Sequence, residues 1–247
     1  MAINSSGNIF VADSPFGNRT QQFDNNGTFL SSFSLGSVQS IAIDSSNNIF
    51  TGTTGGVTKY DGSLNPLFTI GSFGTGNGEV ANVSSIAFDA SGNIFVADSG
   101  NWRVQKFNSA GVYQSQFGSR GNGNGQFERV SGIALDASGN IFATDTGNSR
   151  IQVFDSSGNY LTQVSGVGTA GGAGSYLTIF NNKLYSTDYY NNRVQVYDIN
   201  ATPVPFDFSP NFGVGILGAV FVTKKLIKKK VVKEKVDALR LMMKQGK

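Results

Sequence analysis

The sequence predicts an all-β chain assembled from four-stranded repeat units, and three observations carry that prediction. Among 247 residues there are 32 glycines and 20 phenylalanines, and helix-favouring Ala, Leu, Glu and Lys are scarce before residue 212. That balance favours short strands joined by tight turns. The chain also matches itself: IAFDASGNIFVADSGNWRVQKF at 86–107 and IALDASGNIFATDTGNSRIQVF at 133–154 agree at 15 of 22 positions. Finally, the same frame recurs at Ile9, Ile49, Ile94, Ile141 and Leu184, with spacings of 40, 45, 47 and 43 residues.

Each unit reads as four strands, a to d. In the fourth unit an apolar strand at 133–135 is followed by the turn Asp136-Ala-Ser-Gly139 and a strand at 140–144. The Gly at the end of that turn supplies the positive φ a bulged hairpin needs. Then come the loop Asp145-Thr-Gly-Asn148, the alternating strand at 150–154, a second Ser-Gly-Asn turn and a strand at 160–164. Four strands per repeat of this length is the spacing of propeller blades. The units fall near 1–40, 41–85, 86–132, 133–176 and 177–200.

The segment GNGNGQFERVSGIALDASGNIFATDTGNSRIQVFDSSGNYL, from Gly121 to Leu161, resembles the NHL repeat. It departs from the repeat's pattern where Arg129-Val130 stands in place of the usual proline. The resemblance is strong over 86–198 and weaker over 1–85, where the loop before Lys59 is two residues shorter and lacks both the Asp and the Arg of its sisters. It implies an NHL-type β-propeller of five recognisable blades. Such propellers commonly have six, the chain opens on a strand a, and the fifth unit has no clear strand d. The expectation is therefore either a five-bladed ring or a piece of a six-bladed one.

There is no Cys and no His. Thiol nucleophiles, disulfides, Cys/His zinc sites, histidine bases and Ser-His-Asp triads are excluded together. No cofactor is expected, and DASGN lacks the alternating oxygen ligands and distal Glu of a calcium loop. The Gly-rich runs GSFGTGNG and GSRGNGNG do not join a strand to a helix as a phosphate loop does, and they read as linkers between blades. Residues 224–247 hold ten Lys/Arg against Glu234 and Asp237, a local +8, so the net +3 leaves 3 − 8 = −5 for residues 1–223. An acidic body argues against nucleic-acid binding.

In an antiparallel blade the b–c and d–a connections share one face. The d–a segments, 71–84, 117–130 and 164–175, are long, whereas the a–b and c–d turns are short. Binding residues concentrate in such loops on a rigid scaffold. The candidates there are Trp102, Arg120, Glu128, Arg129, Tyr189 and Tyr190. Trp102 fills a slot held by Ser149 and Asn192 in sister units, so blade packing does not require it; packing against a neighbouring loop is the alternative to ligand binding. Asp98, Asp145 and Asp188 each precede an arginine, Arg103, Arg150 and Arg193, by five residues. This recurrence predicts a pairing within each blade, the alternative being a ring of charge at the channel mouth. Asp44, Asp89 and Asp136 open the a–b turns and are expected to accept nearby backbone N–H groups.

Pro203, Pro205 and Pro210 mark a linker at 201–211. Beyond it lies an uncharged apolar stretch at 212–222, followed by Lys224, Lys225, Lys228, Lys229 and Lys230 and a basic tail expected to be helical. That stretch covers only ~16 Å as helix, short of the ~30 Å hydrocarbon core. Extending it over 206–227 with snorkelling lysines permits a span, although Asp207 lies inside it. The arrangement resembles C-terminal sorting signals of the PEP-CTERM kind, in the bacterial, cyanobacterial variant with a Pro-Phe-acidic motif. The resemblance implies recognition at Pro205, Phe206 and Asp207, processing by an exosortase-type protease, and membrane association through 212–230. The 17 residues after Lys230 depart from that pattern.

These readings lead to an expected non-catalytic binding propeller, exported and anchored or sorted to the cell surface. It would bind a protein or a carbohydrate through the b–c/d–a face. Lysines flanking a span would stay cytoplasmic with the propeller outside, which demands an export signal that Met1-Ala-Ile-Asn does not supply. The alternatives are a lyase or hydrolase with an all-carboxylate metal site in the channel, and a cytoplasmic interaction module whose basic helix lies on a membrane or partner.

Overall fold

The computed structural model describes residues 1–13, 18–165, 173–188 and 191–199. The chain divides into Met1–Pro203 and Val204–Lys247. The linker, the sorting motif Pro205, Phe206 and Asp207, and the apolar and basic tail lie outside the described residues.

Blade 1 comprises β1 (Ala2–Ile3), β2 (Ile9–Asp13), β3 (Arg19–Phe23) and β4 (Phe29–Phe33). Blade 2 is β5 (Ser40–Ile43), β6 (Ile49–Gly52), β7 (Val57–Tyr60) and β8 (Pro66–Ile70). Blade 3 is β9 (Val83–Phe88), β10 (Ile94–Asp98), β11 (Arg103–Phe107) and β12 (Tyr113–Phe117). Blade 4 is β13 (Val130–Leu135), β14 (Ile141–Asp145), β15 (Arg150–Phe154) and β16 (Tyr160–Ser165). Blade 5 is β17 (Ala173–Phe180), β18 (Lys183–Asp188) and β19 (Arg193–Asp198), three strands among the described residues. All sheets are antiparallel with neighbours in chain order, as the all-β propeller reading expected.

Burial explains the strand sequences. The second strands of blades 3 and 4 are sandwiched on both faces, so β10 (IFVAD) and β14 (IFATD) are buried at every position. Fourth strands lie outermost, and β12 (YQSQF) exposes its centre. The core lies between blades rather than inside them. Phe50, Val57 and Ile70 meet Val83, Ile94 and Phe107 between blades 2 and 3. Phe95, Ala97 and Val104 meet Phe127, Ile141 and Phe154 between blades 3 and 4. Each such Val, Ile or Phe side chain contributes about 1.5–3 kcal/mol when fully buried.

The turns repeat one device. Asp89 Oδ1 accepts the N–H groups of Ser91 and Asn93, and Asp44 and Asp136 do the same in their own turns. The c–d turn of blade 4 uses Asp155 likewise. There hydrogen bonds from the Asn159 side chain and backbone hold the carboxyl below its usual pKa.

Serines on the inner strands stitch blade to blade. Ser40 Oγ donates to the Val83 carbonyl (3.1 Å) and Ser84 Oγ to that of Val130 (3.1 Å). These strands surround a cavity of about 560 Å³ whose lining includes Ala2, Gln39, Ser84, Ile133, Tyr176 and Thr178, with no Asp or Glu among the described residues that line it.

Candidate binding face

The face carrying the b–c and d–a connections is built around the recurring arginines. Arg150 Nε donates to Asp145 Oδ2 at 2.8 Å, with the carboxylate fully buried. Its Nη1 reaches Gln163 Oε1 on β16, and its Nη2 reaches the carbonyls of Gly123 and Gln126 in the preceding loop. Gln152 donates to the same Gln126 carbonyl and accepts the Gly125 N–H, while Asn148 donates to Gly121 O and Asp145 Oδ2. Blade 3 repeats the scheme with Arg103, Asp98, Gln116, Gln105 and Asn101, acting on the carbonyls of Gly76, Glu79 and Gly74.

The blade-internal pairing expected from sequence is therefore present, and it does more than join two side chains. The Gly-rich runs expected to be plain linkers are folded loops, closed by the bridges Phe73↔Val80 and Arg120↔Phe127 and clasped by the guanidinium. The pairs do not form a ring of charge at the channel mouth, because Asp98 and Asp145 are buried within the blades. In blade 5 burial works against the Asp188 carboxylate, but hydrogen bonds from Asn191, Arg193 and Gln195, with the Arg193 charge, outweigh it and hold its pKa below the usual value. Burial also pushes the neighbouring Tyr197 phenol up to about 12.

Three of the six ligand-binding candidates come together on this clasped frame. Trp102 closes the b–c turn of blade 3 at φ 52°. Its ring is partly buried against the cluster that contains Phe95, Phe127 and Phe154. Arg120, from the next d–a loop, lies over that ring with its guanidinium carbon 5.2 Å from the centroid. The same guanidinium meets Glu128 at 3.1 Å, the two side chains being 64% and 44% exposed. Arg129 follows, exposed and without an ion pair among the described residues. Its backbone is fixed, since Asp145 Oδ1 accepts the Glu128 and Arg129 N–H groups and Thr146 N donates to the Arg129 carbonyl. Tyr189 and Tyr190 lie outside the described residues.

The Trp102 slot is left-handed in every blade that has it: Asn18, Ser149 and Asn192 occupy it at φ 44°, 52° and 49°. Asn tolerates this conformation, whereas a bulky side chain there is uncommon. Sequence reasoning missed the clasping glutamines and asparagines. Their signal was in the repeat, as Arg103-Val-Gln105, Arg150-Ile-Gln152 and Arg193-Val-Gln195, and as Asn101, Asn148 and Asn191.

Among the described residues, no three His, Cys, Asp or Glu side chains gather as a metal site. No helix among them is long and apolar enough to cross a membrane.

Two segments, residues 81–107 and 127–154, match the NHL repeat family. Both run from the end of a d–a loop to the end of the third strand, which is the stretch that carries the Asp–Arg pair. A chain in a crystal structure of a mitotic checkpoint complex is similar at a TM-score of 0.59 and 12% identity, over 80% of this chain and 60% of that one. At that identity the similarity is one of fold. The 850 solved chains that match mark the architecture as widespread, and an architecture so widely shared does not select a function. No curated protein matches the sequence.

Proposed function

We propose that this NHL-repeat propeller is a non-catalytic scaffold that binds a protein partner through the b–c/d–a face of blades 3 and 4, centred on Trp102, Arg120, Glu128 and Arg129. The observation that carries this reading is the Trp102 slot. A residue that costs backbone energy in a left-handed turn, and that no sister blade needs, is set beside an exposed ion pair on a loop held rigid by Arg150. Strain of this kind is retained where the surroundings over-determine it and concentrates at functional positions. Interface centres favour Trp and Arg, and a pre-ordered loop costs little entropy on binding. A protein partner suits the site better than a carbohydrate, because the indole is partly buried and overlain by Arg120, which leaves little bare ring for a sugar to stack on.

A photo-crosslinking amino acid at position 120 tests this in the organism's own extract. Adducts of defined mass are expected from position 120, and none from Ser91 in an a–b turn on the opposite face. Equal labelling from both positions, or labelling from Ser91 alone, sinks the proposal.

The tail motivates a second part of the proposal: export of the propeller and attachment to the cell envelope through residues 212–230, with sorting at Pro205, Phe206 and Asp207. A reporter carrying residues 201–247 behind a signal peptide is expected to fractionate with membranes. Recovery in the soluble periplasmic fraction would falsify the anchor, and the cytoplasmic alternative would then take its place.

A further inference from the structure

Four Asn-Gly pairs occur in the chain: Asn26-Gly27, Asn77-Gly78, Asn122-Gly123 and Asn124-Gly125. All four asparagines are exposed, and three of the pairs lie in the two clasped d–a loops. Asn before Gly readily loses its side-chain amide, because glycine has no Cβ to shield its backbone nitrogen or restrict its turning. That nitrogen loses its proton and attacks Cγ of the asparagine. A bond from nitrogen to Cγ forms, the Cγ–Nδ2 bond breaks, and the amide takes up a proton from solvent and leaves as ammonia. Water then opens the resulting succinimide at either carbonyl, giving Asp or iso-Asp with no change of oxidation state.

The attacking nitrogens are held in two different ways. Gly78 N donates to Gln105 Oε1 at 3.0 Å and Gly125 N to Gln152 Oε1 at 2.9 Å. Both glutamines are fully buried on the third strand of a blade. Through Nε2 they also donate to the Glu79 and Gln126 carbonyls, at 2.6 and 2.7 Å, one residue beyond each glycine. Each of these Asn-Gly segments is thereby pinned at two points by a side chain that the core fixes. The glycine proton faces an amide oxygen rather than water, and the nitrogen cannot turn towards Cγ without breaking that bond. The other two pairs lack such an anchor. Gly123 N donates to Gln126 Oε1 at 3.0 Å, three residues on in the same surface loop, where Gln126 is only partly buried. Gly27 N donates to the Asp24 carbonyl at 3.1 Å within its own surface turn. Either bond can be exchanged for one to water by local opening, with the core left intact.

We propose that, of the four Asn-Gly pairs, Asn26 and Asn122 are the sites of spontaneous deamidation, and that Gln105 and Gln152 keep Asn77 and Asn124 in the amide form. The inference stands whether or not the b–c/d–a face binds a partner. Its consequence for that face is local: conversion of Asn122 sets a new carboxylate two residues from Arg120, and as iso-Asp it lengthens the main chain there by one methylene. The loop ahead of blade 3 cannot be marked in the same way, because Thr75 stands where Asn122 stands ahead of blade 4. The two glutamines thus preserve the chemistry of the loops as well as their shape.

Peptide mapping by mass spectrometry follows all four sites in one sample of the full chain kept in mildly alkaline buffer. The same chain unfolded in urea supplies the unprotected rate of each site. Relative to those rates, Asn26 and Asn122 are expected to convert roughly tenfold faster than Asn77 and Asn124 in the folded chain, a factor of the size one net hydrogen bond supplies. Gln152→Leu should raise conversion at Asn124 by about that factor while leaving Asn77 as it was, and Gln105→Leu should do the reverse. If Asn77 and Asn124 keep pace with Asn26 in the folded parent, the proposal is overturned. It is overturned equally if either variant, still showing a cooperative melting transition, speeds all four sites alike or none of them. The comparison within the parent uses no substitution, so it decides the question even where a variant does not fold.

Discussion

Blades 1 and 4 carry the same pair at nearly the same distance, Arg19–Asp13 at 2.9 Å and Arg150–Asp145 at 2.8 Å, yet in different surroundings. In blade 4 the guanidinium is buried and each of its three nitrogens donates, to a carboxylate, a glutamine and two loop carbonyls. In blade 1 it lies in water with one partner among the described residues. The pair alone is worth little in solvent. What gives the interior copies their value is the loop they hold and the absence of water around them. Blade 2 marks the other limit. Its b–c hairpin is two residues shorter, closed by Thr53 N to Gly56 O, and Thr53 and Gly56 stand where Asp and Arg stand elsewhere.

The largest effect should come from breaking the buried copy. Arg150→Ala strands Asp145 without its cation and frees the loop at 118–127, and is expected to cost about 3–5 kcal/mol in denaturant unfolding. Arg103→Ala should behave alike, whereas Arg19→Ala should cost at most about 1 kcal/mol. If all three variants lose the same stability, the loop is not what distinguishes them.

Gly52→Ala should rank next. A Cβ at Gly52 would press on the Ser40 hydroxyl and the Val83 side chain, at the point where blades 2 and 3 are joined by the Ser40 to Val83 hydrogen bond. Overpacking of this order costs about 1–3 kcal/mol. A variant as stable as the parent would show that the blade interface yields more easily than its packing implies.

Blade 5 lies between the two limits, with Asp188 buried and Arg193 half exposed, and acid separates its contribution. Asp188 holds its proton less tightly folded than unfolded. Its stabilisation is therefore complete above the ordinary carboxylate pKa of about 4 and is lost as pH falls through its lower folded value. Unfolding free energy measured from pH 6 down to pH 2 should fall less steeply below about pH 4 in Asp188→Asn than in the parent. Identical acid limbs would remove Asp188 from the pH response.

How much of this was legible in the sequence follows from where each partner resides. Strand order, turn chemistry and the Asp–Arg pairing were readable because they recur in side chains at fixed spacings, such as Asp145 and Arg150. The clasp was not, since half of it is backbone: Gly123 and Gln126 accept through carbonyls that every residue carries, 27 and 24 positions before Arg150. The Trp102–Arg120–Glu128 cluster was legible only as separate candidates. It takes the bridge Arg120↔Phe127 to bring the two charges side by side, with Arg120 over a ring from the previous blade.

The smallest expected change in stability belongs to the residue with the largest expected role in binding. Trp102→Asn relieves a left-handed conformation worth about 1–2 kcal/mol for a bulky side chain. It also gives up packing on the cluster around Phe154 and a cation–π contact worth about 0.5–1 kcal/mol at an exposed site. These terms oppose one another, so unfolding should shift by no more than about 1 kcal/mol in either direction, while crosslinking from position 120 should vanish. A stability loss as large as that of Arg150→Ala would instead make Trp102 a packing residue. The difference between blade 3 and its sisters would then be one of core filling rather than of recognition.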